Sequence, residues 1–326
     1  MKPKIFIDGQ EGTTGLQIYD RLRGRDDIEL LPIGDKKRKD AKERKKLINK
    51  ADLVFLCLPD EAARESVSLV ENDNTRVIDA STAHRTDPAW VYGLPELSKE
   101  QRGKIMKAQK VANPGCHATG FAVIVYPLIA LGILPTDYPV TCFSLTGYSG
   151  GGKAMIRAYE GEPTPDMYAP RLYGLEQKHK HLPEMVYVTG LSKPPVFCPI
   201  VDDYYCGMAV TIMLHNDMLN GKPATADIRD KLAAYYKGER FVTVAAAPGS
   251  GLLESNWGTC TNALELTISG NDGATTITAR FDNLGKGASG AAVQNMNIML
   301  GMNEDKGVSL GTIFAKSEEE HRRRDV

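Results

Sequence analysis

The chain opens on an apolar run, Lys4 to Asp8, followed by Gly9, Gly12 and Gly15 and then by apolar positions at Leu16, Ile18, Tyr19 and Leu22. The run predicts a strand. The spacing after it predicts a helix, because residues three and four apart share a helical face. Further strands are expected over Glu29 to Ile33, Leu53 to Leu58 (stopped by Pro59) and Arg76 to Ala80. Helical material falls between them, around Leu47 and Ile48 and from Asp60 to Val70. Strands alternating with helices at this spacing predict a parallel α/β sheet.

Past residue 110 the texture changes. Val111 to Asn113 fits another strand, Pro114-Gly115 marks a sharp turn, and Ala118 to Leu131 is an uncharged apolar stretch that predicts a buried helix. Val140 to Tyr148, Glu184 to Thr189, Tyr205 to Leu214, Phe241 to Ala246, Ala263 to Ser269 and Thr275 to Asp282 then read as strands. With few helices between them, they predict a mixed or antiparallel sheet in a second domain. A last apolar helix, about Ala288 to Gly301, is expected to pack back on the first part. Ser317 to Val326, with Arg322, Arg323 and Arg324, reads as a solvated tail.

At 326 residues the chain exceeds the usual size of one domain. A net charge of −1 argues against a nucleic-acid partner, since phosphate-backbone binding needs a basic excess. No apolar run approaches the ~20 residues that span a bilayer. MKPKIFIDGQ lacks the features of a secretory signal. The six cysteines, at 57, 116, 142, 198, 206 and 260, form no CxxC pair, so reduced thiols in a cytoplasmic protein are expected, with neither a disulfide framework nor a metal.

Gly9-Gln-Glu-Gly12-Thr13-Thr14-Gly15 follows the first strand and opens the first helix. Glycines there permit a tight turn and close backbone approach, and the helix start offers free N–H groups to a diphosphate. A Rossmann-like dinucleotide-binding domain is therefore expected over 1–115, completed by a C-terminal segment of about 287–326. An α+β catalytic and oligomerisation domain is expected over 116–286. Asp35 near the end of the second strand would favour NAD, whereas Lys36, Lys37 and Arg38 beside it would suit a 2′-phosphate; the local sequence leaves both open.

Cys116 follows Pro114-Gly115 and begins an apolar helix, where free N–H groups and the helix dipole favour a thiolate at neutral pH. His117 is expected to pack. His179 and His181, two apart, are expected to share one face of an extended segment and to manage protons, with Glu184 available to orient an imidazole. A metal site is the rival reading, and it lacks a third ligand at convincing spacing. Ser149, Gly150 and Lys153 in GYSGGGK, and Arg85 at the end of DASTAHR, suit a phosphate or carboxylate.

Together GQEGTTG, DASTAHR, NPGCHATG, GYSGGGK, KHKHLPE and GASGAAVQNMN resemble the shorter, second type of N-acetyl-gamma-glutamyl-phosphate reductase, in that family's order from residue 9 to residue 297. The resemblance implies NADPH-dependent reduction of N-acetyl-glutamyl 5-phosphate to the semialdehyde, in arginine biosynthesis, through a Cys116 thioester. It implies acid/base work for one of His179 and His181, without choosing between them. It places Gln294 and Asn295 near the nicotinamide and Ser81 in the cofactor site. It makes Arg85, Ser149, Gly150, Lys153 and Glu184 substrate contacts, tips the cofactor to NADP, and implies a homodimer or homotetramer acting on a small acyl phosphate. Aspartate-semialdehyde dehydrogenase and a reductase of carrier-bound aminoadipyl phosphate are the near alternatives. An NADP-binding redox sensor, with Cys116 oxidised rather than acylated, is the alternative of another class.

Overall fold

The computed structural model describes residues 1–309; the arginine-rich tail and the end of the expected 287–326 segment lie outside the described residues. The first part runs β1 Lys4–Asp8, α1 Thr13–Leu22, β2 Glu29–Leu31, α2 Ala41–Lys50, β3 Leu53–Leu56, α3 Asp60–Ser68, β4 Arg76–Asp79, β5 Val91–Tyr92, α4 Gln101–Lys107 and β6 Lys110–Ala112. These strands form a wholly parallel sheet in the order β2-β1-β3-β4-β6-β5. Helices cover both faces of such a sheet, so the middles of its strands are apolar; all four residues of β3 are apolar and buried. The chain leaves β1 toward β2 on one side and resumes with β3 on the other. That reversal opens a crevice at the carboxyl end of β1, where the glycine loop lies.

The second part runs α5 Cys116–Ala130, β7 Thr141–Gly147, α6 Gly152–Glu160, β8 Arg171–Leu172, α7 Leu182–Thr189, β9 Val196–Asp202, β10 Met208–His215, α8 Thr225–Tyr235, β11 Val242–Ala245, β12 Leu264–Gly270, β13 Ala274–Phe281 and α9 Gly290–Met299. Its strands form a mixed sheet, β11-β12-β13-β10-β7-β9-β8, with β7–β9 and β11–β12 parallel and the other pairings antiparallel. Buried on nearly every side, α5 joins the core of this sheet through Phe121, Val125 and Leu128. Pro127 lies inside it and cannot donate to the Val123 carbonyl. The Tyr236 hydroxyl takes that carbonyl instead.

Two expectations change. Glu184 to Thr189 is helical, not extended: Pro183 at the helix start, Glu184 in its first turn and Gly190 in the left-handed conformation after its end outweigh the β-branched residues between. The strand β9 was hidden by its own Pro199, tolerated because only the two-residue β8 lies beyond it.

After β13 a π-helical turn, Gly285–Ser289, leads into α9. Ala292, Val293 and Met296 of α9 are buried in the same cluster as Ile5, Ile18 and Phe55 of the first sheet's side. The turn and the first part are also joined by a fully buried ion pair, Lys286 to Glu96 at 2.7 Å, with Gln294 accepting from Lys286 and donating to Glu96.

Candidate active site

A cavity of about 490 Å³ is lined by Gly12, Thr13 and Thr14 together with Cys116, His181 and Ser149. Its first wall is backbone. Gly9 sits at φ +86°, and a side chain there would strike the Cys57 carbonyl; Gly15 lies equally close against the Gly9 carbonyl. These two glycines shape the loop, while Gly12, Thr13 and Thr14 face the cavity. No side chain caps α1 at Gly12, so its first N–H groups are free to meet an anion. That uncapped start, opening on a cavity, fits the diphosphate of a dinucleotide.

The other residues expected at the cofactor are spread out. Arg38 pairs with Glu11 at 3.5 Å on the exposed side of the loop. Ser81 gives its hydroxyl to Asp79 at 2.7 Å, in a turn where Asp79 also meets His84 at 2.6 Å. Gln294 is turned to Lys286 and Glu96, away from the cavity lining. Asn295 donates to the Gly93 carbonyl and to the side chain of Asn113, and Asn113 does line the cavity.

Cys116 is the first residue of α5, and Gly115 before it gives no side-chain cap. Glu184, at the start of α7, accepts from the Gly115 N–H at 2.8 Å, from the Tyr92 hydroxyl at 2.8 Å and from Arg85 Nη1 at 3.0 Å. A Cβ on Gly115 would collide with His181 Nε2 and meet Arg85 Nη1 at 2.5 Å. One on Gly287 would come within 2.9 Å of the Cys116 Cβ. Glycine at 115 is what lets the histidine and the arginine close on the thiol-bearing turn, and glycine at 287 lets the turn after β13 close on Cys116 itself.

The expected resting thiolate needs correction. Burial pushes the Cys116 thiol above its ordinary value and Glu184 adds to the rise, against the His117 N–H, Arg85 and Lys180, which lower it. The helix-start reading counted the N–H groups and the dipole but not the enclosure. The histidines shift the other way. Burial, helped by Arg85, holds His181 well below the usual imidazole range, and burial with Lys180 brings His179 to about 4. Both rings are therefore neutral near pH 7.

His179 and His181 lie in a turn entering α7, with ring centroids 4.8 Å apart and planes 85° apart, not side by side on a strand. His179 Nδ1 accepts from the His181 backbone N–H at 3.2 Å, whereas His181 Nδ1 is buried without a partner. His117 is more than packing: it bridges the Ser144 hydroxyl at 2.6 Å and the Tyr173 hydroxyl at 2.7 Å.

Of the expected substrate contacts, Arg85, Ser149 and Gly150 line the cavity. Arg85 is already held at three nitrogens, by Asn113 O, Glu184 and Ala80 O. Ser149 accepts from Asn283 at 3.0 Å. Lys153 on α6 and Glu184 lie outside the lining. Tyr173, Lys180, Thr146 and Asn283 were missed, yet they line it. Lys180 had a signal, standing between the two histidines; Tyr173 and Asn283 had none, because distant loops bring them in.

Comparison with known proteins matches residues 4–105 to the family model "Semialdehyde dehydrogenase, NAD binding domain" and residues 116–283 to "Semialdehyde dehydrogenase, dimerisation domain". An N-acetyl-gamma-glutamyl-phosphate reductase 2 of Nostoc sp. is 50% identical over 322 residues, covering 94% of this chain and 99% of that one. One of Pseudomonas putida is 46% identical over 304 residues, covering 92% and 97%. Among solved structures, aspartate semialdehyde dehydrogenase II of Vibrio cholerae superposes with a TM-score of 0.70 at 14% identity, covering 92% of this chain and 98% of that one. The enzyme of Francisella tularensis gives 0.69 at 16% identity, covering 92% and 100%. At these identities the structures show a shared fold. The sequence relatives go further, and the chain belongs to the semialdehyde dehydrogenase family, in its N-acetyl-gamma-glutamyl-phosphate reductase branch.

Proposed function

We propose that this protein reduces N-acetyl-L-glutamyl 5-phosphate to N-acetyl-L-glutamate 5-semialdehyde and phosphate, with NADPH as reductant, in arginine biosynthesis. The observation that carries the reading is the single cavity onto which both the Cys116 turn and the uncapped start of α1 open. The names of the relatives supply the acyl group.

In this reading the Cys116 sulfur attacks the acyl carbon, the carbon–oxygen bond to phosphate breaks, and phosphate leaves with the electron pair. A thioester remains on Cys116. The half-buried thiol is held toward its protonated form, so a base must take its proton during attack. His181 is that base: neutral, unpartnered at Nδ1, with Nε2 against Gly115. The nicotinamide, when bound, supplies hydride to the acyl carbon. His181 then manages the protons as the carbon–sulfur bond breaks and the aldehyde leaves. His179 holds the His181 backbone, and Glu184 holds both the Gly115 N–H and Arg85.

Thr13 and Thr14 would meet the diphosphate, Arg38 the 2′-phosphate, and Asn295 would act on the nicotinamide end through Asn113. Residues 1–115 with the segment after 286 would carry the cofactor, and 116–286 the thiol and the subunit contacts of a dimer or tetramer. No helix among the described residues is long and apolar enough to cross a membrane, and none of the six cysteines is in a disulfide, as suits a cytoplasmic enzyme.

The test is the reverse reaction: phosphate- or arsenate-dependent reduction of NADP by N-acetylglutamate semialdehyde, beside aspartate semialdehyde. Turnover with the acetylated aldehyde, lost in Cys116→Ser, is expected. Turnover with aspartate semialdehyde alone would overturn the substrate. Turnover with neither would turn attention to carrier-bound aminoadipyl phosphate.

A further inference from the structure

The turn between β13 and α9, Gly285–Ser289, is π-helical: the Ser289 N–H reaches back to the Leu284 carbonyl at 2.9 Å and the Gly287 N–H to the Asp282 carbonyl at 3.0 Å. Such turns are rare, and they recur at functional sites. This one meets three neighbours. A Cβ on Gly287 would come within 2.9 Å of the Cys116 Cβ. The Ala288 carbonyl accepts from Asn113, whose own carbonyl accepts from Arg85. The Ser289 hydroxyl accepts from Arg21 Nε at 3.0 Å and donates to Gln17 Oε1 at 2.8 Å, and both partners belong to α1.

Lys286, the second residue of the turn, carries a charge that the proposed reaction does not use. All three of its ammonium protons have acceptors: Glu96 Oε1 at 2.7 Å, Glu96 Oε2 at 2.8 Å and Gln294 Oε1 at 2.7 Å. Both members of the ion pair are fully buried, and the ammonium also faces the Phe241 ring. Burying two charges costs much of what their attraction returns, and an apolar pair of similar volume commonly serves stability as well or better. Stability alone therefore does not account for a lysine here. An ammonium with three acceptors also fixes a direction, and so holds the turn in one place.

We propose that Lys286 is a positioning residue for the reduction: it pins the π-helical turn, and the turn registers the Cys116 sulfur against α1, whose start opens on the same cavity. The inference rests on the reading of Cys116 as the nucleophile. Hydride has to pass from a cofactor held by the first part of the chain to an acyl carbon held on Cys116, and that step is sensitive to small misplacements. The turn touches both sides of the gap, through Ser289 toward α1 and through Gly287 toward Cys116. Lys286 itself lies outside the cavity lining, so it acts only through the turn.

The test separates stability from turnover. Lys286→Met alone strands the Glu96 carboxylate and should lower the melting temperature by roughly 10 °C. Adding Glu96→Leu removes that charge, while Gln294 still accepts from Asn262 and donates to Glu304, so the melting temperature should return close to that of the unsubstituted enzyme. Turnover should not return with it. In the double variant kcat for N-acetylglutamate semialdehyde is expected to stay about 10–100-fold low, with its KM and the NADP affinity within about twofold. A second readout needs neither cofactor nor turnover: iodoacetamide alkylation of Cys116 should be faster in the double variant, with its pH profile moved to lower pH, as the turn loosens its enclosure of the thiol. A stable double variant with full turnover would overturn the proposal, and so would lost turnover with unchanged alkylation. If the double variant does not fold, Ser289→Ala decides, because it cuts the link to α1: a kcat about fivefold lower in the folded protein is expected, and unaltered kcat would overturn the proposal. An unsubstituted enzyme inactive on both aldehydes would sink the assigned reaction, while the alkylation comparison would still report whether Lys286 holds the turn on Cys116.

Discussion

Two helices in this molecule begin alike and end up with different work. Both α1 and α5 follow a parallel strand, both start after a glycine with no side-chain cap, and both point their free N–H groups into one cavity. Around α1 the wall is backbone and one flank of the helix stays in solvent. Around α5 the helix is buried on nearly every side, and Arg85, Glu184 and His181 crowd its first turn. A helix start by itself offers a place for an anion. Whether that place binds or reacts is decided by what encloses it, and enclosure can reverse the sign: at Cys116 it holds the proton on sulfur against the pull of the helix.

The largest effect that would separate the two is on chemistry. Cys116→Ser should lower turnover by roughly 10³-fold or more while NADP binding, followed by nucleotide fluorescence, stays as it was. A variant that kept turnover would remove the difference between the helix starts altogether. Next is stability. Glu184→Ala strands Arg85 as an unpaired buried charge and should cost about 3–5 kcal/mol in urea unfolding, the penalty of breaking a buried pair. Glu184→Gln should cost less, because its amide oxygen can still accept from Gly115 and Tyr92. The glycines at the α1 end should divide more gently. Gly9→Ala, at positive φ and against the Cys57 carbonyl, should destabilise the fold by about 1–2 kcal/mol or more. Gly12→Ala, with only ordinary contacts at 3.5 Å, should leave stability nearly unchanged and weaken cofactor binding instead.

The smallest effect is a pH dependence confined to the α5 end. Burial lowers His117 to about 3 and His179 to about 4, against about 6.5 in an unfolded chain. Below 6.5 the unfolded chain takes up protons that the fold refuses. The stability from these neutral rings is therefore complete above about pH 6.5 and is lost as pH falls toward about 4. Chemical denaturation at pH 7 and pH 5 should show the loss, and His179→Phe should reduce it. A stability curve flat over that range would show the rings to be more open to water than their surroundings indicate.

The same contrast explains what could be read from the chain. The α1 end was legible because its parts are contiguous: strand, glycines and helix within residues 4 to 22. Cys116 was legible for the same reason, through the Pro-Gly turn before an apolar helix. Its surroundings were not, since Arg85, Tyr92, Glu184 and Gly287 come from four separate stretches of chain, and no local pattern announces their meeting. The histidine segment shows a different limit. Met185 to Val188 reads as strand by residue type, and only Pro183 and Gly190 at its ends mark the helix. Gln294 was expected at the nicotinamide on resemblance alone; the structure commits it to the buried Lys286–Glu96 pair.

The return of α9 to the first sheet has a consequence for the order in which the molecule can be made. A ribosome releases the β1–β6 segment early, but Ala292, Val293 and Met296, which fill the core beside Ile5 and Phe55, are among the last described residues to emerge. The same holds for Lys286, the partner of Glu96. Until synthesis passes α9, the nascent first half holds the Glu96 carboxylate without its cation and an apolar face without its cover. The later-made sheet can close on itself sooner, so the half of the chain that is born first is the half that finishes last.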